Sequence, residues 1–276
     1  MENDCRPSCS ALSSPLASSN RVGSADAAGS GYTVVSGLPS LRATGLSPGV
    51  PVFNLSQEIR AGFIRKVYGI LSIQLLFTVA SAAFFMFHEP TRLFVLQNEG
   101  LKLTAAFAPF GFLLALSCYK DRHPLNLGLL AGFTLCLTYT VGVVCAMYYQ
   151  MHYGQIVLQA LVLTAAVFVS LTFYVMTTKK DFSFLGGALF SGLIILLVWS
   201  FMNSLFDFGL GAGGHTVFSL MGALLFVGYI LYDTSLLLHH FGPDDYIIAT
   251  VTLYLDIINL FIYLLELLRM LQGGDN

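Results

Sequence analysis

The hydrophobic positions of this chain run on almost without interruption, neither alternating as in a half-buried strand nor confined to one stripe as in a surface helix. Seven apolar stretches stand out, at 67–87, 101–119, 125–147, 155–176, 183–203, 214–238 and 247–271. Each holds about 20 residues, enough to cross a ~30 Å hydrocarbon core as a helix. Helices satisfy their own backbone hydrogen bonds, which lipid cannot do for them. The pattern has none of the ~10-residue alternating strands of a membrane barrel. Connections of about five to about thirteen residues make neighbouring helices antiparallel and leave no extramembrane domain between them. Gly128, Gly132, Gly142, Gly186, Gly187, Gly192, Gly222 and Gly228 fall inside the stretches and mark expected packing faces, since small residues let membrane helices approach closely.

Two segments precede the first stretch. Residues 57–66 read as an interfacial lead-in helix, with Ile59, Phe63 and Ile64 toward lipid and Arg60, Arg65 and Lys66 toward headgroups. Residues 1–55 are rich in Ser, Gly, Ala and Pro and read as a disordered tail, too poor in apolar surface to offset the entropy of ordering. The expected organisation is therefore that tail, then a domain over 56–276: an all-α, polytopic integral membrane protein of about seven transmembrane helices.

Composition agrees. Of 276 residues 56% are hydrophobic and 10% charged, where a soluble domain carries about 25% charged residues. A net charge of −2 gives no footprint for nucleic acid. The five cysteines, Cys5, Cys9, Cys118, Cys136 and Cys145, have neither the number of a disulfide framework nor metal-site spacing. Met1-Glu2-Asn3-Asp4 opens no signal peptide, so insertion falls to the first spanning segment. Lys and Arg set the expected orientation. Arg60, Arg65, Lys66, Lys120, Arg122, Lys179 and Lys180 gather on one side, against Arg92, Lys102 and Arg269. That places the N-terminus and the 239–246 loop in the cytosol. Seven full crossings put the C-terminus opposite; a re-entrant last segment returns Arg269 to the cytosol, and the charge count allows both.

Acids inside a membrane cost about 2.5–3.5 kcal/mol on insertion scales, so they are functional candidates by default. Asp233 and Asp256 are the clear cases, on segments six and seven. At ~1.5 Å per residue, Asp256 lies roughly 14 Å from the start of its helix and Asp233 roughly 8 Å from the end of its own, so the hairpin can bring them together. Glu266 lies nearer the far end, within reach of headgroups. Asp245, Ala249, Thr252, Asp256, Asn259, Tyr263 and Glu266 fall on one face of segment seven, which must then face protein or water, so that helix is placed inside the bundle. Two carboxyls in one low-dielectric site cannot both ionise cheaply; they share a proton and titrate as a unit. The shared proton ties segments six and seven together, and its loss introduces repulsion, as in a pH-gated latch. The freed carboxylates attract a cation. With Asn259 and water, Asp233 and Asp256 form a weak, transient Ca²⁺ site, as a conduction pathway requires, and no resident cofactor is implied. A seam of hydrogen bonds that only joins helices is the competing reading. His123, His152, His215, His239 and His240 sit in loops or at helix ends, and no G-x-S-x-G, P-loop or H-E-x-x-H motif supports enzyme chemistry.

Several segments carry a resemblance. Asp245-Tyr246-Ile247-Ile248-Ala249 and Leu253-Tyr254-Leu255-Asp256-Ile257-Ile258-Asn259-Leu260-Phe261 are similar to the C-terminal signature of the Bax-inhibitor (transmembrane Bax-inhibitor-motif, lifeguard) family. Phe63-Ile64-Arg65-Lys66-Val67-Tyr68 resembles its lifeguard branch, and Lys179-Lys180-Asp181-Phe182-Ser183-Phe184-Leu185 and Tyr232-Asp233-Thr234 match in order. The resemblance spans about 57–271 and implies seven helices with the last at the centre. It also implies a Ca²⁺ leak in endomembranes (endoplasmic reticulum or Golgi), protection from cell death, and apoptosis-regulating membrane proteins as partners. The family's pH-sensing pair falls on Asp233 and Asp256, and its basic latch on Lys120, with Arg122 nearby. A non-conducting scaffold that suppresses death signalling through partners remains the alternative. Intramembrane aspartyl proteases also pair aspartates on helices six and seven, but their Gly-x-Gly motif is replaced here by Leu253-Tyr254-Leu255, so the chain is expected not to be an enzyme.

Overall fold

The computed structural model describes residues 52–119, 124–206, 211–242 and 244–272. All but the last residues of the expected 1–55 tail lie outside them. Eight α-helices follow in order: α1 (Val52–Phe87), α2 (Glu89–Gln97), α3 (Glu99–Tyr119), α4 (Leu125–Gln150), α5 (Gly154–Thr178), α6 (Gly186–Phe206), α7 (Gly211–His239) and α8 (Tyr246–Gln272). Among the described residues a 3₁₀ turn, Ser183–Leu185, leads into α6. Among the described residues there is no strand, and seven of the helices are long and apolar enough to cross a membrane. Segments six and seven of the sequence are α7 and α8.

The ends of the first span differ from expectation. No break separates a lead-in helix from it: α1 is continuous, and Phe63 is buried beside Val67 and Leu71, one helical turn and two turns on. Phe63 therefore packs in the core rather than in lipid, and Ile64 packs against the same cluster. Ile59 alone of the three stays exposed. Arg60 donates through Nη1 to the Leu238 carbonyl in the last turn of α7, and Lys66 sits 3.2 Å above the Tyr246 ring at the start of α8, so both bind protein rather than headgroups. The other surprise is α2. His88 caps it by accepting from the Thr91 backbone N–H, and Pro90 stands in its first turn, where a missing N–H costs nothing.

α8 occupies the centre. It packs against α4, α5 and α7, and Leu253, Tyr254, Leu260 and Leu265 are fully buried along it. Its far end meets the far end of α4, where Tyr148 donates to Glu266 at 2.6 Å. The helix therefore runs the length of the bundle without re-entering. The outward faces are apolar, with Ile73, Leu114, Phe173 and Phe184 largely exposed, as lipid-facing positions are. Basic residues divide between the ends. Arg60, Lys66 and the α5–α6 loop with Lys179 and Lys180 lie with the 239–246 turn, while Arg92 stacks near Tyr149 and Arg269 near Tyr148 at the other end.

Six of the eight glycines read as packing positions do meet a neighbouring side chain. The tightest is Gly222, whose Cα lies so close to the Tyr263 ring that a Cβ there has no room. Gly128 and Gly187 instead face open space, so they are not packing contacts.

Candidate functional site

The α7–α8 hairpin builds the site. Because the helices are antiparallel and joined by a short turn, Asp233, six residues before the end of α7, falls level with Asp256, ten residues into α8. Asp233 is 7% exposed and Asp256 5%. Their carboxyl groups lie close enough to interact directly, and Thr252 stands beside Asp233, its hydroxyl donating to the Ala249 carbonyl at 3.3 Å. Tyr229, one turn before Asp233 on α7, is the further titratable group facing both. Oδ2 of Asp256 has no hydrogen-bond partner among the described residues. Thr234 and Ser235, next along α7, are fully buried.

The other predicted residues divide. Thr252 belongs to the pair's surroundings. Asn259 is half-buried and spends its amide N–H on the Leu255 carbonyl at 2.8 Å. Tyr263 packs its ring on Gly222 and stacks with Phe226 at 5.7 Å between centroids, joining the helices rather than contacting the acids. Lys120 and Arg122, the expected latch, lie outside the described residues. Among the described residues no three His, Cys, Asp or Glu side chains converge as a metal site would require.

Around the pair the structure adds groups that sequence reasoning missed. Near the turn, Ser235 accepts from the Phe182 N–H at 2.9 Å, and His240 meets Asp181 at 3.2 Å. His240 thus pairs across to the α5–α6 loop rather than with Asp244 or Asp245. The Ser183 backbone N–H and hydroxyl, with His240 behind them, hold the Asp181 carboxyl down at about 2. On the opposite face of α8, Tyr254 is fully buried, its hydroxyl 2.7 Å from Thr78 on α1. Thr78 lies 3.0 Å from Thr138 on α4, and Gln74 donates to Thr134 at 2.6 Å. The signal was available: 74 and 78, and 134 and 138, are polar pairs at i, i+4 on otherwise apolar helices. At the far end Glu266 accepts from Tyr148 and Arg269, both at 2.6 Å, so it is held by protein rather than reaching for headgroups.

Comparison with known proteins adds the lineage. Residues 60–273 match the family described as inhibitor of apoptosis-promoting Bax1. A BI1-like protein of Arabidopsis thaliana is 48% identical over 222 residues, covering 79% of this chain and 83% of that protein. A Golgi anti-apoptotic protein of Vaccinia virus (strain Lister) is 42% identical over 225 residues, 80% of this chain and 91% of its own. Protein lifeguard 4 of Mus musculus is 41% identical over 218 residues, covering 79% and 89%. With most of its length matched by the family and by relatives of this identity, the chain belongs to the Bax-inhibitor (lifeguard) family of multi-pass membrane proteins.

Proposed function

We propose that this protein is a pH-sensitive Ca²⁺ leak channel of endomembranes, endoplasmic reticulum or Golgi, with its N-terminus in the cytosol and a cytoprotective, anti-apoptotic role. The observation that carries the reading is the meeting of two buried aspartates, Asp233 and Asp256, on adjacent membrane helices. A neutral Asn or Thr would join helices without the cost of an intramembrane charge, so the acids are retained for what a proton or a cation does there. With the shared proton in place the carboxyls hold α7 against α8; when it leaves, they repel and offer oxygen ligands to Ca²⁺. Two carboxylates with water make a weak site, well short of the six to eight oxygens of a tight one, and weak binding lets an ion move on. Thr252 supports the pair, and Asn259 and Tyr263 continue its face along α8; Lys120 or Arg122 serves as a basic latch at the cytosolic end. The anti-apoptotic role follows the name of the viral relative, a Golgi anti-apoptotic protein.

The second reading is a non-conducting scaffold that inhibits death or stress signalling through membrane partners, and that same name favours it equally. Purified protein alone in Ca²⁺-loaded liposomes separates the two. Flux above protein-free vesicles supports the channel; a folded protein with none leaves the scaffold.

A further inference from the structure

A large cavity lies on the other side of α8 from the aspartates, between α1, α4 and α5, and its lining includes neither acid. Its volume is about 1110 Å³, just above the ~300–1,000 Å³ range of ligand pockets. Leu75, Val79, Leu158, Leu161, Phe168 and Phe261 make its walls apolar. A dry, apolar space of this size is a poor home for water, which needs two to four polar partners. Along α1 it extends from Leu75 to Phe87, roughly 18 Å at ~1.5 Å per residue. That is close to one leaflet, roughly half of a ~30 Å hydrocarbon core.

The charged and long polar side chains gather at one end, where Arg92, Gln150, His152 and Gln155 line the mouth, while Thr78 and Thr164 farther in give their hydroxyl protons to the Gln74 and Ala160 carbonyls of their own helices. Arg92 is half-buried there. It donates through Nη1 to the Met86 carbonyl at 2.8 Å, and its guanidinium sits 5.2 Å from the Tyr149 ring centroid. Its Nε is sheltered and has no hydrogen-bond partner among the described residues. α5 starts beside it at Gly154, so the first N–H groups of that helix and its positive dipole end turn to the same place. Val79, Leu158 and Val169 are exposed at the cavity's edge, so its side opens to the bilayer.

We propose that this cavity holds one anionic phospholipid from the leaflet at the Arg92 end, its acyl chains along α1 and α5 and its phosphate against the Arg92 guanidinium. An anionic head with acyl tails describes a free fatty acid as well. The volume favours the phospholipid, because a single chain would leave much of the space empty. The unsatisfied donor explains the charge: a planar guanidinium pairs bidentately with phosphate, and an anionic lipid adds no choline cation to compete.

The test uses the full chain in phosphatidylcholine nanodiscs doped with phosphatidylserine carrying a photoreactive diazirine at the acyl terminus. After illumination, label is expected at the inner end of the cavity, on Leu75, Phe168 and Ile257, and unlabelled phosphatidylserine should displace it where phosphatidylcholine does not. Arg92→Gln should weaken retention about tenfold, as loss of a charge-assisted hydrogen bond implies. Ala165→Trp, which narrows the cavity and leaves Arg92 intact, should abolish the labelling. The proposal fails if label spreads evenly over lipid-facing residues such as Leu114 and Phe173, or if phosphatidylcholine competes equally. Displacement by oleate at lower concentration than phosphatidylserine would also overturn it, assigning the cavity to a free fatty acid.

Discussion

Replacing Tyr254 by Phe tests whether the buried polar cluster behind α8 is a working joint between helices. The Thr78 hydroxyl has one proton and gives it to the Gln74 carbonyl at 2.8 Å, so at the 2.7 Å contact Tyr254 must be the donor. Tyr254→Phe removes that donor, yet Thr78 keeps Gln74 and the 3.0 Å contact with Thr138, so no partner is orphaned. The expected loss is that of one interhelical hydrogen bond in a membrane, about 0.6–1.7 kcal/mol. Thr78→Val acts from the other side and strips the buried Tyr254 hydroxyl of its acceptor, which costs about 1–3 kcal/mol. The Thr78 variant should therefore be the more damaging, and the pair should couple by about 0.6–1.7 kcal/mol in a double-mutant cycle. Reversible unfolding of the purified protein in bicelles reads all four corners. Losses that simply add, within about 0.5 kcal/mol, or a Tyr254→Phe loss exceeding that of Thr78→Val, would refute the assignment of donor and acceptor.

Further outcomes follow from the same geometry. Gly222→Leu forces a side chain against the Tyr263 ring and should destabilise the α7–α8 contact by about 1–3 kcal/mol. Gly187→Leu, whose new side chain enters open space, should stay within about 0.5 kcal/mol in the same unfolding assay. Asp181 is held at about 2, below its ordinary value of 3.8. A carboxyl depressed in the fold stabilises it above the unfolded value, and that contribution is lost as pH falls from about 4 through about 2. Asp181→Asn should accordingly flatten thermal stability across that acid window.

Much of this fold was legible because lipid simplifies the code. An apolar run of about 20 residues has one stable backbone solution in a membrane, so six of the seven spans could be placed within a few residues, while the first helix begins well before the expected 67. The polar face of α8 likewise placed that helix inside, since a carboxylate such as Asp256 pays heavily for facing lipid. What was not legible depended on partners far away in sequence. Phe63 looks like a lipid-facing residue until α1 proves continuous and buries it beside Val67. His240 has two acids close by in sequence, but the α5–α6 loop brings Asp181 to it from 59 residues away. Gly222 and Gly187 read alike in sequence, and which of them faces a ring depends on how α7 is rotated. The 88–98 stretch read as a connection because its polar residues hid a short helix whose start is set by His88 and Pro90.

The most direct test of the account is Ca²⁺ flux through purified protein in liposomes across about pH 5 to 8, wild type beside Asp233→Asn and Asp256→Asn. The account predicts a flux that changes with pH in the wild type and loses that dependence in both variants. Wild-type pH behaviour in both would contradict it, leaving the two aspartates as a structural tie between α7 and α8.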